Sequence, residues 1–157
     1  MDRVNAILRH PSFTAALERI AELEKDRLFC KHGMDHLLDV ARLAYIFCFE
    51  SGQKTDREAL YAAALLHDIG RWRQYEDGTP HEQESARTAA IVLPECGFSK
   101  SEISLILDAI LSHRTHSGEK TGFAGYIYRA DKLSRRCFEC AARRDCDWEM
   151  KNTCLEY

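Results

Sequence analysis

The chain has 157 residues, which is the size of one domain, and a net charge of −3 at neutral pH. Its hydrophobic share of 45% and charged share of 30% are those of an ordinary water-soluble globular protein. With this charge no basic field points to nucleic acid, and no apolar run approaches the roughly 20 residues that span a bilayer. The N-terminal residues lack the apolar core of a secretory signal. We therefore expect a cytoplasmic protein that binds neither long nucleic acid nor membranes, in an oligomeric state that the sequence leaves open.

The first third of the chain is predicted to be helical, because apolar residues recur at helical spacing and no stretch alternates as a strand does. Predicted helices cover about residues 4–9, 12–28 and 33–52. The first ends before Pro11, as helices usually do, and Ser12 is expected to cap the second. The third carries His36 at the edge of its apolar face.

The fourth predicted helix carries the most informative residues. It begins with the capping box Thr55-Asp56-Arg57-Glu58 and contains an apolar run over residues 60–66. His67 and Asp68 follow that run near the C-terminal end of the helix. Adjacent helical side chains diverge by about 100°, so both reach one ion only if it lies between their directions. Residues 71–78 are predicted to form a polar loop.

The second half of the chain is predicted to contain three long helices, over about residues 79–95, 99–113 and 124–136, with a loop over residues 114–122. The first opens with Thr79-Pro80-His81-Glu82, which combines a capping residue, an N-terminal proline and a capping glutamate. The second opens with the capping box Ser99-Lys100-Ser101-Glu102 and ends near His113. Asp131 lies near the middle of the third.

Histidines and aspartates therefore recur in or at the ends of five predicted helices: His36, His67, Asp68, His81, His113 and Asp131. Unpaired polar groups are costly to bury beside apolar residues, and a metal ion would satisfy them. Imidazole with carboxylate suits Fe, Mn, Co, Ni or Zn, with Mg where carboxylate and water dominate. The absence of sulfur argues against a purely structural zinc site, and a mixed site that leaves positions for water is typical of catalysis. We expect one or two divalent ions.

Each residue also has a purely structural explanation. His36 alone at a helix edge is more often a hydrogen-bonded histidine than a ligand, and His81 in a first turn can be exposed. His116 competes with His113 for the same ion, and His32 is expected at the surface or behind the ligands. Taken together and in this order, however, the structural explanation requires several independent coincidences, so the metal site is favoured.

His36, His67-Asp68 and Asp131 resemble the H…HD…D signature of the HD-domain superfamily of metal-dependent phosphohydrolases. The segment AALLHDIGRW resembles the signature itself, and YRADKLSR resembles the closing aspartate helix of that family. The resemblance covers roughly residues 30–136 of what we predict to be one domain over residues 1–157. It implies an all-α fold, the HD-domain helical bundle.

The resemblance also implies a division of labour among the ligands. In a subset of the family two further histidines hold a second ion, and His81 and His113 stand where these are expected. Asp68 would then bridge the ions, with His36, His67 and Asp131 on the first and His81 and His113 on the second. The implied activity is hydrolysis of a small phosphorylated metabolite or nucleotide by a metal-activated water.

Basic and aromatic residues near the signature are candidates for substrate contacts. Arg71 and Lys132 are expected to act with Asp68 in catalysis, because cations stabilise the charge of a phosphoryl group. Arg73, Arg114 and Arg135 are further candidate cations, and Trp72, Tyr75 and Tyr128 are candidates to stack on a base. Three other functions stay open: a di-iron HD-type oxygenase, a non-catalytic nucleotide-binding sensor, and an interaction module organised by cysteines.

The last 21 residues, 137–157, are irregular and rich in cysteine, with four of the seven cysteines of the chain: Cys137, Cys140, Cys146 and Cys154. In a reducing compartment we expect reduced thiols packed as small apolar residues. The alternatives are a zinc ion or an iron–sulfur cluster held by the four sulfurs, or redox chemistry. The spacing differs from the paired C-x2-C motifs of a zinc ribbon.

Overall fold

The computed structural model describes residues 1–115, 122–149, 151–155 and 157, and in these residues it contains eight α-helices and no strand. In chain order the helices are α1 (Asp2–Arg9), α2 (Pro11–Leu23), α3 (Met34–Glu50), α4 (Arg57–Leu66), α5 (Arg71–Asp77), α6 (His81–Glu95), α7 (Lys100–Ser112) and α8 (Phe123–Leu133). The predicted all-α fold is confirmed. No helix in these ranges has the length and apolar character needed to cross a bilayer.

Helix α4 lies at the centre of the bundle. Seven of its ten residues are buried, four of them alanines that allow neighbouring helices to approach closely. A helix that is apolar on all sides is stable only when other helices surround it, and α4 contacts α1, α3, α6, α7 and α8. Its C-terminal end, where His67 and Asp68 follow, therefore opens into the middle of the protein rather than into solvent.

The predicted loop over residues 71–78 is wrong, because residues 71–77 form helix α5. This helix ends at Gly78, whose φ of +80° is the left-handed conformation that glycine adopts without strain. Helix α5 packs on α2 and α6, and the partly buried Trp72 contacts the core. These tertiary contacts stabilise a polar segment whose own sequence pattern indicated a loop.

Several predicted helix ends also differ from the structure. His10, not Ser12, caps α2 by accepting a hydrogen bond from the Ser12 amide, and Asp56, not Thr55, caps α4. Helix α6 begins at His81 with no side-chain cap from Thr79. Helices α2 and α8 end earlier than predicted, whereas the capping box of α7 is confirmed. Residue His116 and most of the predicted loop after α7 lie outside the described residues.

Gly70 positions α6 against the end of α4. A Cβ atom at this residue would lie 2.5 Å from the carbonyl oxygen of His81 and 2.4 Å from the backbone nitrogen of Ser85. The Gly70 amide also donates a 2.8 Å hydrogen bond to the Ser85 hydroxyl. Only glycine permits this close approach, which brings His81 beside Asp68.

We expect Gly70→Ala to lower the free energy of unfolding by about 1–3 kcal/mol, the usual range for overpacking, because backbone rather than a flexible side chain must move. Denaturant unfolding monitored by circular dichroism measures this change. Gly33→Ala is the control, since a Cβ atom there meets nothing within 4 Å. Equal stability of the two variants would contradict the packing argument.

Candidate metal centre

The structure brings all six predicted side chains together, from five helices or helix ends: His36, His67, Asp68, His81, His113 and Asp131. His36 lies in the first turn of α3, and His81 is the first residue of α6. His67 and His113 directly follow α4 and α7, and Asp131 lies near the end of α8. Five of the six are buried, and the His36 side chain is 9% exposed.

Two groups of ligand atoms share the carboxylate of Asp68. One group contains His36, His67, Asp68 and Asp131, and the other contains Asp68, His81 and His113; within each, the atoms lie within 4.8 Å of one another. Oδ2 of Asp68 is 3.4 Å from His67 Nε2 and 3.6 Å from His36 Nε2. Oδ1 is 3.1 Å from His81 Nε2 and 3.5 Å from His113 Nε2. The two oxygens of one carboxylate thus face different groups.

Asp131 completes the first group from helix α8. Its Oδ1 atom is 3.5 Å from His36 Nε2 and 3.8 Å from His67 Nε2. The contact depends on the packing of α8 against α3, one of the largest helix contacts in the protein. A residue 63 positions beyond Asp68 in the sequence is therefore held at the same centre.

Backbone carbonyls fix the orientation of two imidazole rings. Nδ1 of His67 is 2.7 Å from the Ala64 carbonyl, and Nδ1 of His113 is 2.6 Å from the Ile110 carbonyl. Because a carbonyl only accepts hydrogen bonds, Nδ1 carries a proton in both rings, and Nε2 is the nitrogen that faces Asp68. His81 is held in the same way by the side chain of Gln74, 2.5 Å from its Nδ1. Metal-binding histidines are typically oriented by such partners.

Several buried atoms of the centre lack a hydrogen-bond partner, and a cation would satisfy those that can accept. Nε2 of His36, Nε2 of His67 and both oxygens of Asp68 are buried without a hydrogen-bond partner among the described residues. The Nε2 atoms of His81 and His113 face each other at 3.1 Å. Buried acceptors that face other acceptors are unfavourable unless protons or a metal ion lie between them. The residues present therefore fit a site for divalent cations.

The charges of the centre shift the pKa values of its members in opposite directions. Burial favours the neutral form of Asp68, but the charges of Arg71 and His67 outweigh it and hold its pKa well below the usual range. The pKa of Asp131 is likewise well below normal, since the neighbouring imidazoles of His36 and His67 and the charge of Arg135 outweigh burial. Burial opposes the charge on His67, yet the two carboxylates raise its pKa to about 9. Both carboxylates are thus ionised and attract positive charge.

A cavity of about 400 Å³ lies against the two groups. His81, His113 and Asp131 form part of its wall, together with five basic residues: Arg27, Arg71, Arg114, Lys132 and Arg135. Arg71 Nε is 2.9 Å from Asp68 Oδ2, and Lys132 donates a 2.6 Å hydrogen bond to Asp131 Oδ2. Arg71 and Lys132 therefore lie between the central carboxylates and the cavity.

Some of the predicted substrate-contact residues lie elsewhere. Arg73 is half-exposed on α5 and pairs with Asp77 at 2.8 Å, because alternate residues of a helix point away from each other. Trp72 lines a separate groove against α2 and α6, and Tyr75 donates a hydrogen bond to Glu24. Tyr128 is not part of the cavity wall either.

Two aromatic residues that the sequence analysis missed line the cavity, Phe29 and Trp148, and Trp148 has the larger ring system. It lines the cavity from the C-terminal segment, with Arg135 5.1 Å from the centre of its ring. Nothing in the helical pattern indicated it, because it belongs to an irregular segment whose course depends on tertiary contacts. A tryptophan 17 residues beyond Asp131 was the only sequence signal.

A buried Glu24–His32 pair lies behind the centre. Glu24 accepts hydrogen bonds from the amide of His32 at 2.7 Å and from its Nδ1 at 2.5 Å. The other ring nitrogen, Nε2, is 3.9 Å from Asp68 Oδ2. Burial lowers the pKa of His32 to about 4, so the ring is neutral at physiological pH. Of the two predicted positions for His32, the structure shows the one behind the ligands.

The four C-terminal cysteines do not form the metal site that the sequence analysis considered as an alternative. All seven thiols are free. Cys137, Cys140 and Cys146 line one small cavity, whereas Cys154 is exposed and does not line it. A zinc ion or iron–sulfur cluster held by Cys154 together with the other three is therefore not supported by this geometry.

Comparison with known proteins gives the family. The family model of the HD domain matches residues 33–136. An uncharacterized protein of Clostridium beijerinckii is 43% identical over the full length of both chains. The crystal structure of a predicted HD superfamily hydrolase from an uncultured Thermotogales bacterium is 30% identical, with a TM-score of 0.58 over 85% of this chain and 74% of the other. The chain belongs to the HD-domain family.

Ribonuclease Y is a more distant relative. The enzyme of Oleidesulfovibrio alaskensis is 29% identical over 125 residues, which are 80% of this chain but 22% of that protein. The enzyme of Enterococcus faecalis is 28% identical over 83% of this chain and 23% of its own length. The present chain thus spans under a quarter of the length of these relatives.

We expect the purified protein to bind two Mn²⁺ ions, because two donor groups meet at Asp68. Asp68→Ala should lose both, since the shared carboxylate belongs to each group. His113→Ala should retain one ion, and so should Asp131→Ala. Equilibrium dialysis followed by elemental analysis measures the stoichiometry.

Arg73→Ala is the matched control, as this arginine is basic, close in sequence and outside the cavity. It should bind the same number of ions as the unmodified protein. An Asp68→Ala variant that still binds two ions would rule out the shared carboxylate.

Proposed function

We propose that this protein is a metal-dependent phosphohydrolase whose substrate is a small phosphorylated molecule, a nucleoside phosphate. The observation that carries the proposal is the Asp68 carboxylate, which two groups of metal-binding side chains share. It lies beside a cavity lined by five basic side chains. A divalent ion at such donors lowers the pKa of a bound water and neutralises charge on a phosphoryl oxygen. The similarity to a predicted HD superfamily hydrolase agrees with this reaction class.

The residues of the chain contribute in distinct ways. Asp68 would contribute one carboxylate oxygen to each ion, and the ions would supply an activated water and offset charge on the phosphoryl group. His36, His67 and Asp131 would bind one ion, and His81 and His113 the other. Because Nδ1 of His67 and His113 is protonated, these rings offer only Nε2 and cannot turn away without losing a hydrogen bond.

Arg71 and Lys132 supply positive charge on the side of the substrate. Arg71 pairs with Asp68 and Lys132 pairs with Asp131. When ions neutralise those carboxylates, the guanidinium and ammonium groups remain in the cavity wall with charge available to phosphate. Their expected contribution is to bind and orient the phosphoryl group and to stabilise its charge in the transition state.

The size of the cavity favours a small substrate. A volume of about 400 Å³ lies within the range of small-molecule sites. The five cations suit a charged phosphate group, and the Trp148 ring provides a surface for a base. The similarity to ribonuclease Y makes RNA the competing substrate class. A net charge of −3 and the lack of a basic stripe in the sequence argue against long RNA as the substrate.

Activity should appear when the metal-loaded protein is mixed with nucleoside mono-, di- and triphosphates, with Mn, Fe, Co, Ni and Mg tested in turn. Phosphate release measures turnover, and Asp68→Ala should lower it at least a thousandfold while Arg73→Ala leaves it unchanged. Release from single-stranded RNA but from no nucleotide would contradict the substrate class. Tight nucleotide binding without release would indicate a sensor, and oxygen uptake by the iron form an oxygenase; either would contradict hydrolysis.

Trp148→Ala should raise KM for nucleoside phosphates about tenfold, because stacking of one base on an aromatic ring is worth about 1–3 kcal/mol. KM for ribose 5-phosphate, which has no base, should stay the same. Phe138→Ala is the control, since Phe138 is a second aromatic residue of the C-terminal segment, is exposed and does not line the cavity. A parallel rise in KM for both substrates would show that Trp148 supports the cavity wall and does not contact the base.

A further inference from the structure

Four cysteines from two distant parts of the chain line one small cavity next to the metal centre: Cys30, Cys137, Cys140 and Cys146. Cys30 comes from the connection between α2 and α3, and the other three follow α8. A backbone hydrogen bond from Cys140 to Cys137 closes a turn between those two residues. The set differs from the one that the sequence indicated, because Cys30 takes the place of the exposed Cys154.

The segment that carries three of these cysteines has little else to hold it in place. Residues 137–149 form turns rather than a helix, and Cys137 is the one buried residue among them. Asn152 anchors the following residues, with hydrogen bonds to the carbonyls of Lys132 at 2.9 Å and Arg135 at 2.7 Å. Irregular segments that bury so little apolar surface are usually stabilised by a disulfide or a metal ion. The thiols are not paired in disulfides.

We propose that Cys30, Cys137, Cys140 and Cys146 bind a metal centre through four thiolates, either a zinc ion or an iron–sulfur cluster. The pair Cys137-x2-Cys140 has the spacing common to thiolate sites. Four thiolates around Zn²⁺ carry a net charge of −2, and two cations line the same cavity, Arg143 and Lys151. The charges therefore balance without any further group.

A zinc site and an iron–sulfur cluster need different distances between the cysteine sulfur atoms. No three cysteine sulfurs among the described residues lie within 4.8 Å of one another. Tetrahedral zinc requires sulfurs about 3.8 Å apart, as follows from a Zn–S distance of about 2.3 Å, so the four sulfurs would have to move closer together around zinc. A cluster held by four thiolates needs a wider set. Both centres use the same four sulfurs, and the metal found decides between them.

The role of this centre would be to fix one wall of the substrate cavity. Cys146 is followed by Asp147 and Trp148, which line the cavity beside His81 and His113. Cys30 precedes the buried His32 by two residues and lies within reach of Arg135, which pairs with Asp131 at 3.0 Å. A metal on the cysteines would therefore order the substrate cavity without taking part in the reaction.

Metal content is the direct test, on protein purified without oxygen and analysed by elemental analysis and visible absorption. Asp68→Ala should retain the cysteine-bound metal, since it empties only the histidine centre. Cys30→Ser and Cys140→Ser should each lose at least 80% of that metal, and Cys154→Ser should keep it. Zinc in a colourless protein identifies a zinc site, and iron with visible absorption that Cys30→Ser removes identifies a cluster.

Two results would overturn the proposal. One is an Asp68→Ala protein that contains no zinc or iron, and the other is a Cys30→Ser protein that retains all of the cysteine-bound metal. Both are independent of whether the protein hydrolyses nucleotides. A second measurement on the unmodified chain covers variants that fail to fold. Iodoacetamide labelling followed by mass spectrometry should modify Cys154 at once, and the half-exposed Cys140 and Cys146 only after a chelator is added. Equal labelling of the three before chelation would contradict metal binding.

Discussion

The structure depends on one buried carboxylate, Asp68, placed where the most apolar helix of the bundle ends. Burying an ionised group is unfavourable unless opposite charge and hydrogen bonds compensate it. The bundle provides partial compensation through Arg71 and the surrounding imidazoles, while both carboxylate oxygens remain without a hydrogen bond. Helices α4, α7 and α8 also direct their C-terminal ends toward this point. Helices α3 and α6 begin at the same point, with His36 and His81 in their first turns, so helix ends of both dipole signs meet there.

This arrangement links metal binding to folding. The donors come from elements separated by up to 95 residues, from His36 to Asp131, so the unfolded chain has no comparable site. A ligand that binds only the folded state stabilises it by about 2.7 kcal/mol at a concentration one hundred times its Kd. The raised pKa of His67 shows the same demand for positive charge, which a proton meets when no metal ion does.

The features predictable from the sequence are those encoded in local patterns. The helices that carry the six metal-binding side chains can be predicted from apolar periodicity and capping residues. The His67-Asp68 pair indicates the HD-domain family, which the match to the family model confirms. Helix α5 was missed because its stability comes from contacts with α2 and α6. The cavity wall at Trp148 and the partnership of Cys30 with distant cysteines depend on how an irregular segment crosses the bundle. No local pattern encodes such a course.

Residue 136 separates the part of the chain that matches the HD family model from the C-terminal part that lies outside the match. The HD family model ends there, one residue before Cys137, and all six donors lie before it. The wall that carries Trp148 and three of the four clustered cysteines lies after it. The Clostridium beijerinckii protein is similar over its whole length, including this part. The reaction class would thus reside in the helices common to the family, whereas the choice of substrate would depend on a C-terminal segment that is outside the family match.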